Sequence, residues 1–305
     1  MSLSSIRSLA VALVLSVPSA HAAGLPCGSP FVPVPVIKPV LPSPLFPQSD
    51  SAVNCFMWQT FVYLTWPASS TQPGQPDPAL AYGLAAPTVW ETFRPHDTVF
   101  LPNGATPNPW GYNTKTRQHA VRVLNNTGKQ FRLFNAAETT ALSDTQQAGG
   151  GAIYDQAGQV VYYEMLLNQT EFNYIVNKQL YQANAQNQFA QQVGIELPTN
   201  SVEVKAAWKT LSPQELSAKP IRFHTAQAQV PGSSQPVIVG LVGLHVMVMP
   251  SNTTFAQGFW ATFQQLDNAP LQSAPGKGPY SFYNANCTSN CTVNSKTATG
   301  VPTQV

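Results

Sequence analysis

Six ionisable side chains, Glu164, Glu203, Lys205, Arg222, His224 and His245, fall within four candidate strands of a chain in which only 9 % of residues are charged. Together they could do acid/base chemistry. A carboxylate such as Glu164 or Glu203 serves as a base or metal ligand, and an imidazole such as His224 or His245 as acid, base or ligand. A cation such as Lys205 or Arg222 stabilises developing negative charge. Side chains alternate across a strand, so residue parity assigns faces. In 159–167, Tyr162 and Glu164 share a face opposite Tyr163, Met165 and Leu167. In 202–208, Glu203 and Lys205 lie opposite Val202, Val204, Ala206 and Trp208, and in 221–230, Arg222 and His224 lie opposite Ile221 and Phe223. If these strands flank the one carrying His245, all six groups converge on one face. Burying such charges unpaired costs several kcal/mol each, so that face must be wet, a cleft or a paired network. The plainer reading is the solvent-facing side of an antiparallel sheet.

Glu203-Val204-Lys205 also matches the E-x-K element of metal-dependent nucleases, with Asp155 or Glu164 as the second carboxylate. His96 beside Asp97 is a further acid/base pair by type, although Pro95 points to a turn there. No G-x-S-x-G elbow, H-E-x-x-H, phosphate-binding loop or dinucleotide glycine pattern occurs, so serine hydrolase, zincin, P-loop and Rossmann readings have no support.

The element that must position these groups is 237–249, apolar on both parities and therefore a central strand covered on two faces. Gly240 and Gly243 mark a bend or a close backbone approach within it. His245 shares its parity with Leu241 and Met247. Cys55 to Trp66 is too densely apolar for a surface helix and reads as a buried one, stopped by Pro67. Asn168 to Gln192 is amphipathic, with Phe172, Ile175, Val176, Leu180 and Phe189 at helical spacing. FAQGFWATFQQL, residues 255–266, is expected to be a short helix with Phe255, Phe259, Trp260 and Phe263 on its packing side. Hairpins are expected at 119–134, around Asn126-Thr127-Gly128-Lys129, and at 152–167, around Gln156-Ala157-Gly158. A helix is expected at 136–147. The fold class is α+β: a mainly antiparallel β-sheet packed by a few helices, with a Pro-rich N-terminal arm.

The domain plan is a leader at 1–22, an extended arm at 23–50, one α+β domain at 51–273 and a loop-rich tail at 274–305. Arg7, the run LAVALVLSV and Ala20-His21-Ala22 supply the charged, apolar and cleavage parts of a secretory signal peptide, which places the mature protein in the periplasm or outside the cell. No later apolar run is long enough for a membrane span. A formal net charge of +2 over 305 residues gives no electrostatic footprint for nucleic acid. The four cysteines, Cys27, Cys55, Cys287 and Cys291, allow three pairings in an oxidising compartment, of which Cys27 with Cys55 and Cys287 with Cys291 is favoured by proximity. Their spacing matches no common zinc pattern, and no CxxCH attaches haem.

The stretches CFMWQTFVYLTWP, PTVWETFRPHDTVF, AIYDQAGQVVYYEMLLN, VEVKAAW and GLVGLHV with FWATFQQLDNAP resemble a group of exported bacterial proteins without assigned function, some loosely labelled cytochrome-associated. The resemblance covers most of the mature chain and implies export, but no activity, cofactor or catalytic residue. The expectation from the residues is an exported hydrolytic enzyme using the six-residue cluster. The competing expectation is a non-catalytic periplasmic binding or interaction domain, serving a redox system through a protein partner, in which the same residues form a structural ion-pair network. A carbohydrate surface made by Trp90, Trp110 and Tyr112 is a third. Neither metal, cofactor nor a particular small-molecule or polymer ligand is specified by the sequence.

Overall fold

The structure is a computed structural model that describes residues 50–111, 122–123, 153–218, 220–250, 258–270, 278–284 and 286. The arm, most of the expected 119–134 hairpin, the helix at 136–147, and Cys27, Cys287 and Cys291 lie outside the described residues. Cys55 is disulfide-bonded, to a partner outside them.

Seven strands form one sheet: β1 (Arg94–Pro95), β2 (Arg122–Val123), β3 (Tyr162–Leu167), β4 (Val202–Thr210), β5 (Thr225–Gln229), β6 (Val237–Val248) and β7 (Phe259–Gln264). Their order is β1-β3-β4-β6-β5-β2, with β7 also on β6. All pairings are antiparallel except that of β2 with β5. The twelve-residue β6 is the organising strand, as its apolar run on both parities requires. One of its edges is filled by β4. The other is shared, by β5 along Val237–Gly240 and by β7 along Gly243–Val248.

Where that edge changes hands, β6 carries a bulge. Ala207 pairs with Gly243 and Trp208 with Leu241, leaving Val242 as the extra residue. Its carbonyl leaves the ladder and accepts from the Asn268 side-chain amide at 2.7 Å and from the Gln265 backbone N–H at 3.0 Å. An extra residue inverts parity. Leu241 therefore lies on the same face as Trp208, whereas His245 lies on the face of Lys205, contrary to the common parity expected for Leu241 and His245. Gly240 serves the close approach expected of it: a Cβ there would come within 2.7 Å of Leu211 and 2.9 Å of Phe223.

Helix α1 (Asp50–Thr65) covers one face, which carries Val202, Val204, Ala206, Trp208, Leu244, Val246 and Val248. Phe56, Met57, Tyr63 and Leu64 recur on one side of the helix and are all buried. Its threonines stay satisfied by donating to carbonyls one turn back, Thr60 to Phe56 at 2.9 Å and Thr65 to Phe61 at 2.7 Å. The opposite face is covered in part by α2 (Gln169–Asn177), whose Phe172 and Ile175 pack with Leu167, Val99, Leu180 and Tyr181.

Two expectations fail in instructive ways. Residues 168–192 form two helices, α2 and α3 (Ala183–Gln192), because Gln179 turns left-handed at φ 54° and the Leu180 N–H reaches back to Ile175 at 2.8 Å. The expected helix at 255–266 is instead strand β7, with Phe259, Ala261 and Phe263 turned inward and Trp260, Thr262 and Gln264 exposed. Phe263 packs on Phe61 and Trp58 of α1 at 4.4 and 5.0 Å between ring centres, a contact that alternation makes possible.

Candidate functional site

The six candidate residues do not converge. Glu164 and His224 lie on the α1 face, Glu203, Lys205 and His245 on the other, and Arg222 stands at the exposed rim. Strands β3 and β4 alternate as expected but are out of phase, whereas Arg222 and His224 of the expected 221–230 strand lie before β5, which begins at Thr225. On β3 the side bearing Glu164 is also the side bearing buried Leu166.

On the α1 face, Glu164 belongs to a buried network. Arg122 of β2 donates to both Glu164 and Glu91, and all three side chains are at most 12 % exposed. The guanidinium lies against both Trp90 and Trp208, at 5.2 and 4.9 Å from their ring centres, which are 6.1 Å from each other. Trp208 donates its indole N–H to Glu164 at 3.1 Å, and Thr88 donates its backbone N–H and hydroxyl to Glu91 at 2.7 and 2.9 Å. His224 closes the network, with Nε2 at 3.2 Å from Glu91 and 36 % of its side chain exposed.

Burial alone would raise the Glu91 carboxyl. The hydrogen bond and charge of His224, the charge of Arg122 and the Thr88 N–H outweigh it and lower the group to about 2. The unfolded carboxyl sits at 4.5, so its folded-state value is depressed. Glu91 therefore contributes stability that is fully present above pH ~4.5 and lost as pH falls toward 2, about 3 kcal/mol at most. Urea unfolding at pH 6, 4 and 2.5 checks this: the deficit of Glu91→Gln relative to wild type is expected to shrink across that interval, and a constant deficit would refute it.

The opposite face holds a cross-strand row. Met165, Lys205, His245 and Thr262 are in register on β3, β4, β6 and β7. The half-buried imidazole shares a 2.7 Å hydrogen bond between Nδ1 and the Thr262 hydroxyl and leans on exposed Trp260 at 5.4 Å. Burial, then the Lys205 charge, lowers its pKa. The Lys205 ammonium stands 4.9 Å over the Tyr163 ring. Arg222 makes a bidentate pair with Asp267, one contact at 2.6 Å.

The two-carboxylate arrangement of the E-x-K reading is not assembled. Asp155 is tied to buried Lys209 at 3.2 Å, and Lys209 also pairs with Glu215 at 2.7 Å, while Glu164 is on the wrong face for Glu203. Among the described residues no three of His, Cys, Asp and Glu gather where a metal ion could be held. His96 sits in a 3-10 turn stacked on Phe100 at 4.4 Å. Trp90 is buried and so joins no carbohydrate surface, while Trp110 packs on Phe172 at 5.5 Å and Tyr112 lies outside the described residues.

Sequence reasoning missed Glu91, Arg122, Asp155, Lys209 and Asp267 as partners. Their scarcity was the available signal, since a chain with 13 acids and 15 lysines and arginines leaves few candidates for each buried charge.

It also missed a cleft of about 370 Å³ between the C-terminal half of α1 and the start of α2. Leu64, Phe93, Val202 and Val248 make an apolar floor, and Gln75, Gln169, Thr170, Asn173 and Asn200 bring neutral polar side chains to the walls. Other polar groups there are spent. Tyr63 donates its hydroxyl to Gly74 at 2.7 Å and is raised to about 12 by burial. Asn168 caps α2 by accepting from the Glu171 N–H at 3.1 Å, and donates to the Asn200 carbonyl at 2.7 Å. None of the lining residues is ionisable at neutral pH.

Fold and cleft together define an α+β protein with a mainly antiparallel sheet and, among the described residues, a cleft lined by neutral side chains. No protein-family model, curated protein or solved structure matches the chain.

Proposed function

We propose that the protein is an exported, non-catalytic binding domain whose cleft takes an uncharged ligand with hydroxyl or amide groups on an apolar body. The carrying observation is the cleft lining: an apolar floor under five neutral hydrogen-bonding side chains. The pairing of the inner charges supports this reading, because Glu91, Arg122, Glu164, Asp155, Lys209 and Glu215 already satisfy one another. The leader composition of residues 1–22 supports export, and N-terminal sequencing of the secreted product is expected to begin after Ala22.

Binding is tested by calorimetry against neutral oligosaccharides and end-capped dipeptides. At least one is expected to bind, and Asn173→Ala to weaken it roughly two- to tenfold, the worth of one hydrogen bond. Absence of binding across both panels, or an unchanged affinity in the variant, refutes the cleft as the site.

One contact favours a second reading, the hydrolytic enzyme. His224, oriented by Glu91 and partly exposed, has the arrangement of an acid/base imidazole. Loss of hydrolysis of chromogenic esters or glycosides in His224→Gln, with melting temperature unchanged, would establish it.

A further inference from the structure

Among the described residues, Glu171 is a buried carboxylate outside the ion pairs described above. It is 4 % exposed, and its Oε2 is buried without a hydrogen-bond partner. It sits in the first turn of α2, between residues that line the cleft: Asn168, Gln169 and Thr170 precede it and Asn173 follows. Its backbone N–H, and that of Phe172, are the two that fix this turn, bonding to the Asn168 side chain at 3.1 Å and the Asn168 carbonyl at 3.0 Å.

The charged group acting on it from the sheet is Glu203 of β4, a like charge. From β1, the Arg94 guanidinium stands over the neighbouring Phe172 ring at 5.3 Å and donates to the Asn108 carbonyl at 2.8 Å. The N-terminal end of a helix favours a carboxylate, but burial and the Glu203 charge prevail and raise the carboxyl to about 8.

We propose that Glu171 is a proton-gated positioning residue for the cleft. Neutral, it lets the first turn of α2 seat against β4 and hold one wall in place; ionised opposite Glu203, it lifts that turn and weakens ligand binding. The proposal rests on the binding reading of the cleft, but the movement itself can be tested without a ligand.

Hydrogen exchange of the full mature protein is followed at the Glu171 and Phe172 amides between pH 6.5 and 9.5, corrected for intrinsic exchange. Wild type is expected to lose at least tenfold protection across that interval, while Glu171→Gln keeps it. Glu203→Gln, which removes the like charge, lets Glu171 ionise at lower pH with less drive to expel the turn, and is expected to shrink the loss of protection relative to wild type. Equal loss in wild type and Glu171→Gln, or a Glu171 carboxyl that titrates in the ordinary range by carbon NMR, overturns the proposal. A neutral ligand whose affinity for wild type is flat from pH 6.5 to 9.5 overturns it as well. Gated exchange with no neutral ligand bound supports the gate and refutes only the binding reading.

Discussion

Arg122→Met is expected to destabilise the fold by about 3–5 kcal/mol, the cost of breaking a buried ion pair by removing one partner. Methionine keeps an apolar stem against Trp90 and Trp208, so most of the loss is electrostatic rather than a cavity. Glu91 and Glu164, 10 % and 8 % exposed, then face each other across the space that one guanidinium filled. His224 can compensate only Glu91. Two comparisons separate charge from packing. Arg122→Lys restores a cation but not a planar fork reaching two carboxylates, so it is expected to recover part of the loss. Adding Glu164→Gln to Arg122→Met removes one of the stranded charges and is expected to recover about 1–2 kcal/mol, within the usual coupling of residues in one network. Urea unfolding at pH 7 measures all three. A loss below about 1 kcal/mol for Arg122→Met would mean that these carboxylates are effectively solvated, as in surface pairs.

The same network explains which parts of the molecule were legible in the chain. The central position of β6 followed from an apolar run with no polar parity, and the inward side of β4 from Val202, Val204, Ala206 and Trp208 at alternate positions. Both are local patterns. The site was not legible because parity ranks residues within a strand and says nothing about phase between strands. Glu164 and Glu203 are each alternate to hydrophobic neighbours, yet register sets Glu164 opposite Ala206 and Glu203 opposite Leu167, on different faces. The bulge at Val242 adds a second inversion inside β6, so that parity failed even along one strand.

Strand β7 shows a different limit. Phe255, Phe259 and Phe263 are spaced four apart, which suits a helix face, but Phe259, Ala261 and Phe263 suit a strand face equally. The choice was made by the free edge of β6 beyond β5, a partner more than ten residues away in every pair. The Arg122 anchor was hidden for a similar reason: its partners Glu91 and Glu164 are 31 and 42 residues away.

Glu171→Gln is expected to stabilise the protein at alkaline pH while leaving it nearly unchanged at pH 4. The folded carboxyl is raised to about 8 by burial and by Glu203, against 4.5 in the unfolded chain. Below pH 4.5 both states are protonated and the group costs nothing extra. Between 4.5 and 8 only the unfolded chain ionises, so the unfolded state binds fewer protons and stability falls as pH rises. Above 8 the folded group ionises too and the loss levels off. The full span is about 4–5 kcal/mol at most by linkage, and local opening of the first turn of α2 would reduce it by letting water reach the carboxylate. Glutamine keeps the shape and cannot ionise, so the variant should gain roughly 2–4 kcal/mol over wild type at pH 9. This slope is opposite in sign to that of Glu91, whose contribution disappears on acidification, so the combined contribution of these two carboxylates is greatest around pH 5. Urea unfolding of wild type and Glu171→Gln at pH 4, 6 and 9 decides the matter: a gain at pH 9 no larger than at pH 4 would mean that Glu171 is already ionised in the folded protein at neutral pH, with its charge reaching solvent.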